Sequence, residues 1–142
     1  MTDTIESTDH DVLTEFFVRY GEALATGDLP AISGCYVVPA LVVHDRGARP
    51  IAARDVIEAD FAGAAERYRA AGLVAARPRV LHNESLTDVL VSVDVHWDYC
   101  DDQGHSRSQD GYRYVLRRTD VGPRIQVVIA TPPSQSVAPQ DG

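Results

Sequence analysis

Leu90-Val91-Ser92-Val93-Asp94-Val95-His96-Trp97-Asp98-Tyr99-Cys100, followed after a short polar break by Asp110-Gly111-Tyr112-Arg113-Tyr114, decides the fold of this 142-residue chain. Val91, Val93, Val95, Trp97 and Tyr99 alternate with Ser92, Asp94, His96 and Asp98. A period of two puts the first set on one face of a strand and the second on the other. If the chain turns at Gln103-Gly104, opposed residues on the two strands sum to about 207. Trp97 then faces Asp110, Val95 faces Tyr112 and Val93 faces Tyr114, while Asp94 meets Arg113 on the reverse. Apolar meets aromatic on one side and acid meets base on the other, so the register is consistent with itself.

The same periodicity extends in both directions. Strands are predicted near 74–82, 88–100, 106–118 and 124–131, separated by Asn83-Glu84-Ser85, Asp101-Asp102-Gln103-Gly104 and Asp120-Val121-Gly122-Pro123. Upstream of Gly72 the period is helical. Val12, Phe16, Tyr20 and Leu24, with Leu13 and Phe17 beside them, describe one apolar face of a helix with Asp9 as N-cap and Gly27 at its end. Asp28 and Pro30 open a second, short helix that carries Ile32, Cys35 and Tyr36 inward and stops at Pro39. Leu41-Val42-Val43 reads as a strand, and Arg46-Gly47-Ala48-Arg49-Pro50 as a loop. A third helix is predicted from about Arg54 to Ala71, with Ile57, Phe61, Ala64, Ala65 and Tyr68 on one side and no good N-cap. Helices first and hairpin-linked strands afterwards mean an α+β fold, three N-terminal helices packed on one face of a curved antiparallel sheet. Residues 1–8 and 132–142 read as disordered tails around a single domain, 9–131.

Composition narrows the function. A formal charge of −8 disfavours nucleic acid and anionic membranes as partners. All 13 basic residues are Arg, which removes Schiff-base lysine chemistry. No stretch approaches the roughly 20 apolar residues of a membrane span, and the polar, acidic N-terminus is not a signal peptide. Cys35 and Cys100 lack metal or redox spacing and read as reduced, buried residues of a cytoplasmic protein. Asp94, His96 and Asp98 share one strand face, but three residues of a straight strand do not converge on an ion, so no metal is expected. Nucleophile-elbow, phosphate-loop and dinucleotide signatures are absent from the sequence, and no cofactor is expected.

Arg19-Tyr20 through Gly27-Asp28-Leu29, then Cys35-Tyr36, then Leu41-Val42-Val43-His44-Asp45, resembles the opening of the nuclear transport factor 2-like superfamily, in its SnoaL-like and ketosteroid isomerase-like branch. The aromatic strands around Trp97 and Tyr112 resemble the pair that lines that family's pocket. The resemblance covers about residues 10–131 and implies a cone-shaped fold around one hydrophobic pocket. It implies that Tyr20 hydrogen-bonds a substrate oxyanion, that Asp110 shares this task as a protonated acid, and that His44 occupies the place of the family's carboxylate base. His44 is a departure: it is either a base or a hydrogen-bonded pocket histidine. From its register alone, Asp110 is either buried beside Trp97, with its pKa raised, or a strand-end residue half in water.

Two functions are therefore expected. One is an isomerase, cyclase or dehydratase moving a proton on a small hydrophobic carbonyl compound, with Tyr20, His44 and Asp110 catalytic. Tyr36, Phe61, Val93, Val95, Trp97, Tyr99 and Tyr112 would then shape its pocket. The other is a non-catalytic small-molecule-binding or accessory domain using the same pocket. Arg113, Val115, Arg117 and Val128 beside Asp94 and His96 make an outer sheet face suited to a homodimer.

Overall fold

A computed structural model describes residues 2–133, with side chains from residue 9 onward. Helix α1 spans Thr2–Thr26, and its buried stripe is Leu13, Phe16, Phe17, Tyr20 and Leu24. Val12 is exposed, contrary to the four-residue repeat, because each step of four overshoots the helical turn by roughly 40° and two steps from Tyr20 carry it off the stripe. Asp9 lies inside α1 and not at its cap, and its carboxylate accepts from Arg118 Nη2 at 3.0 Å.

Helix α2 is only Leu29–Ser33. Asp28 caps it as expected, its carboxylate accepting from the Ala31 amide at 3.2 Å. Cys35 and Tyr36 fall outside it, and Tyr36 opens strand β1, Tyr36–His44. Pro39 sits within that strand, at the irregular stretch between Tyr36 and Leu41 where the pairing register shifts, a place where a residue without an N–H is tolerated. The expected loop after it is strand β2, Gly47–Ile51, paired antiparallel with β1. The predicted third helix is two pieces, α3 (Arg54–Phe61) and α4 (Ala64–Ala70). Gly63 separates them at φ +80°, a conformation that residues with a Cβ avoid.

Strands β3 (Ala75–Ser85), β4 (Leu90–Cys100), β5 (Ser106–Thr119) and β6 (Gly122–Thr131) fall on the predicted segments, except that Asn83-Glu84-Ser85, expected as a turn, pairs with β4 as part of β3, and Gly122-Pro123 already belongs to β6. The β4–β5 register is the one read from the sequence: Trp97 opposes Asp110, Val95 opposes Tyr112, Val93 opposes Tyr114 and Asp94 opposes Arg113. Arg113 grips Asp94 through Nε at 2.7 Å and Nη2 at 3.3 Å.

The six strands form one sheet in the order β2-β1-β6-β5-β4-β3. It is mixed, not purely antiparallel, because β1 lies parallel to β6. The inner face of β4 is fully covered, with Val91, Val93, Val95 and Trp97 at 2% exposure or less. Phe17 of α1 closes that region, its ring 4.8 Å from Tyr114 and 6.4 Å from Trp97. Val128 opposes Tyr114 and therefore faces inward, which removes it from the outer face proposed for a dimer. Cys100 is buried and Cys35 half-buried, both as free thiols. Among the described residues no helix is long and apolar enough to cross a membrane, and no group of three or more His, Cys, Asp or Glu is gathered to hold a metal. The tail expected over 132–142 lies, from residue 134 on, outside the described residues.

Candidate functional site

Where α1 leaves the inner face of the sheet, a cavity of about 210 Å³ remains. The chain has six tyrosines and one tryptophan, and all seven line it. Tyr20 comes from α1, Tyr36 from β1, Tyr68 from α4, and Trp97, Tyr99, Tyr112 and Tyr114 from the central hairpin. The inner-face alternation of β4 and β5 explains the last four, since Trp97 and Tyr99 are two apart, as are Tyr112 and Tyr114. Leu24, Val42, Ile51, Ile57, Phe61 and Val128 complete the apolar wall. Val42 and Val128 are partners in the parallel β1–β6 ladder, so that seam is itself part of the cavity.

The polar atoms inside are paired in a way that leaves protons over. Tyr20 and Tyr36 share a hydroxyl–hydroxyl bond of 2.6 Å, in which either can donate. One of their two O–H protons is thereby used and the other has no acceptor among the described residues. Trp97 Nε1 donates to the Tyr114 hydroxyl at 3.0 Å, and the Tyr114 proton is likewise without an acceptor there.

Burial is the main cause that raises the pKa of every one of the six phenols. The Asp110 carboxylate adds to it at Tyr99, Tyr68 and Tyr112, and more weakly at Tyr114. These hydroxyls are neutral donors at physiological pH and not bases. The charged residues on the wall are Arg49 and Asp60, joined by Arg49 Nη2 to Asp60 Oδ1 at 2.7 Å and half-open to solvent.

The three residues carried over as catalytic are not gathered together. Tyr20 is in the wall, buried and bonded to Tyr36. Asp110 is half-buried on the inward face of β5, beside the aromatic wall but outside it; it pairs with Trp97 inside the strand, so it is neither fully buried nor at the strand end. His44 is exposed and its Nδ1 accepts from the Arg46 amide at 3.2 Å. It shares a strand face with Val42, but two residues further on the strand has run past the cavity to the β1–β2 turn, where His44 pairs with Gly47. Of the expected pocket residues, Tyr36, Phe61, Trp97, Tyr99 and Tyr112 line the cavity. Val93 and Val95 do not; they are packed in the solid core at the Phe17–Tyr114 end of the hairpin.

Arg49 does not emerge from a reading of 46–50 as a loop, and Asp60, on the predicted third helix, emerges only through its pairing with Arg49. The signal available was that Arg49 stands opposite Val42 once 46–50 is treated as the return arm of a hairpin. Tyr114 is also a wall residue beyond the expected set, although it occurs on a face already marked as inward, and Tyr68, readable as either a stacking or a core aromatic, lines the wall too.

A family model described as "NTF2-like protein (DUF6841)" matches residues 9–133. No curated protein matches this chain. Among solved structures, an NTF-2 like protein of unknown function from Shewanella oneidensis superposes with a TM-score of 0.64 at 14% identity, covering 86% of this chain and 98% of that one. An NTF2-like protein with a cystatin-like fold from Novosphingobium aromaticivorans gives 0.63 at 19% identity, covering 91% and 84%. Aln2 from a Streptomyces species gives 0.65 at 19%, covering 87% and 89%. At these identities the likeness is one of fold.

Proposed function

This chain belongs to the NTF2-like proteins of family DUF6841, and from that premise we propose that it binds a compact one- or two-ring molecule carrying an oxygen acceptor. The observation that carries this reading is the convergence of all six tyrosines and the only tryptophan on one cavity, with two phenolic protons left without acceptors. Buried donors without partners are costly, and a ligand carbonyl, ether or phenol oxygen would satisfy them. Size sets the upper limit. The cavity of about 210 Å³ is below the roughly 300–1,000 Å³ of pockets for drug-sized ligands, so a four-ring steroid is too large. An apolar cavity of roughly 150 Å³ is enough for benzene.

The test uses Trp97 as a fluorophore already in the wall, with 1-tetralone and its deoxygenated analogue tetralin as probes. We expect 1-tetralone to bind more tightly, and Tyr36→Phe and Tyr114→Phe each to weaken it by about 3–10-fold while leaving tetralin unchanged. Equal binding of the two probes, or no binding of either, would sink the proposal.

A second reading is favoured by the same unused protons. Hydroxyl donors fixed in a water-poor aromatic cavity stabilise a developing enolate oxygen, as an isomerase, cyclase or dehydratase needs. The proton would then move to a carboxylate such as Asp110, since His44 is exposed at the hairpin turn. Deuterium exchange at the α-carbon of bound 1-tetralone tests this: exchange that Tyr20→Phe suppresses supports catalysis, and no exchange above buffer rejects it.

A further inference from the structure

The charges around the cavity do not balance. Among the described residues Arg49 is the only cation on its wall and Asp60 the only carboxylate, and the two neutralise each other at 2.7 Å. Asp110 is left over. It stands on the inward face of β5, directly opposite Trp97 and two residues from Tyr112 on the same face. Tyr99 neighbours Trp97 on β4, and Tyr68 stacks on Tyr99 with ring centroids 5.6 Å apart. Four aromatic residues of the wall thus surround a half-buried carboxylate that has no Arg or His ion-pair partner among the described residues. Its charge is felt at Tyr99, whose pKa is raised by burial first and by the Asp110 carboxylate next.

We infer that the Trp97–Tyr112 side of the cavity, which Asp110 borders from just outside the wall, binds an organic cation, a protonated or quaternary amine carried on the same small aromatic molecule. This rests on the ligand-binding reading above and adds the charge of the ligand. The faces of Trp and Tyr rings attract a cation through their quadrupoles, and a carboxylate at the edge supplies the opposite charge. An anionic ligand would instead meet Asp60 on the wall and the field of Asp110 beside it, while its one attractive group, Arg49, is already held by Asp60. The chain's net charge of −8 acts in the same direction, raising the local concentration of cations.

The experiment compares two isosteres that differ only in charge, phenyltrimethylammonium and tert-butylbenzene, by calorimetry on the full chain. We expect the cation to bind about tenfold more tightly in the wild type. Asp110→Asn should bring the two to parity by weakening the cation alone. Asp45→Asn removes the same charge from an exposed position at the β1–β2 turn and should leave the preference intact. Tighter or equal binding of tert-butylbenzene to the wild type overturns the inference but leaves the ligand-binding reading standing. So does a preference that survives Asp110→Asn, or one lost equally in Asp45→Asn, which would reflect surface charge alone. If neither probe binds, this inference fails, and the ligand-binding reading stands or falls separately on 1-tetralone.

Discussion

Replacing Tyr114 by Phe isolates the hydrogen bond that holds the tryptophan in place. Trp97 is 1% exposed, and its Nε1 donates to the Tyr114 hydroxyl at 3.0 Å. The indole N–H is a donor only, so it has no other way to be satisfied once that oxygen is gone. Tyr114→Phe deletes one oxygen and keeps the ring, with its contacts to Phe17 at 4.8 Å and Tyr112 at 5.7 Å. The cost is therefore polar and not a packing loss. Losing a neutral hydrogen bond costs about 0.5–1.5 kcal/mol, and stranding a buried donor costs about 1–3 kcal/mol. Part of this is offset, because the substitution also removes the Tyr114 proton that itself lacked an acceptor. The expected net destabilisation is about 1–2 kcal/mol, seen in urea denaturation followed by far-UV circular dichroism as a lower midpoint with an unchanged slope. Tyr112→Phe, which removes a hydroxyl outside this bond, serves as the comparison and should shift stability by less than about 0.5 kcal/mol. Trp97→Phe and the double variant complete a cycle whose coupling should be about 1 kcal/mol. A Tyr114→Phe loss indistinguishable from that of Tyr112→Phe would refute the reasoning, because it would mean the indole N–H is satisfied without its phenolic acceptor.

Two further outcomes follow from geometry and charge. At Gly21 an added Cβ would lie 2.6 Å from the Ala76 carbonyl oxygen and 2.9 Å from Trp97 Cζ3. Gly21→Ala should therefore destabilise by about 1–3 kcal/mol through overpacking despite better helix propensity, and a thermal melt showing equal or higher stability would contradict the close packing of α1 on β3. All six phenols have pKa values raised above that of an exposed tyrosine, chiefly by burial. The folded state therefore holds its phenolic protons more tightly than the unfolded state. That stabilisation is whole below the unfolded pKa of about 10 and is lost as pH rises beyond it toward the folded values. Tyrosinate absorbance should accordingly appear together with cooperative unfolding, and gradual ionisation of a still-folded protein would count against the burial described.

The local parts of this fold were legible. The β4–β5 register followed from alternation plus one turn, because antiparallel hairpin pairing is decided by residues close in the chain. The short helix capped by Asp28 was readable for the same reason. The parallel β1–β6 contact was not, since nothing near Val42 indicates a partner 86 positions later at Val128. Arg46-Gly47-Ala48-Arg49-Pro50 has turn composition yet forms an edge strand, where Gly, Arg and Pro are tolerated and even protective. That misreading hid Arg49, and with it the neutral pair that leaves Asp110 as the uncompensated charge. For His44, its place at the strand's end was legible but the length of the cavity was not, so the resemblance carried a pocket role onto a side chain that lies beyond the wall.

The pairing of Val42 with Val128 also sets an order in time. During synthesis β1 and β2 emerge long before β6, and β1 has no neighbour on its other side until the last strand of the sheet is made. Joining segments so far apart carries a loop-closure cost that local hairpins avoid. The β3–β6 meander can assemble from neighbours alone, whereas the wall contributed by Tyr36 and Val42 arrives only when the two ends of the domain meet. The chamber is thus built across the longest loop closure in the sheet, and an occupant bound there would tie β1 to β6.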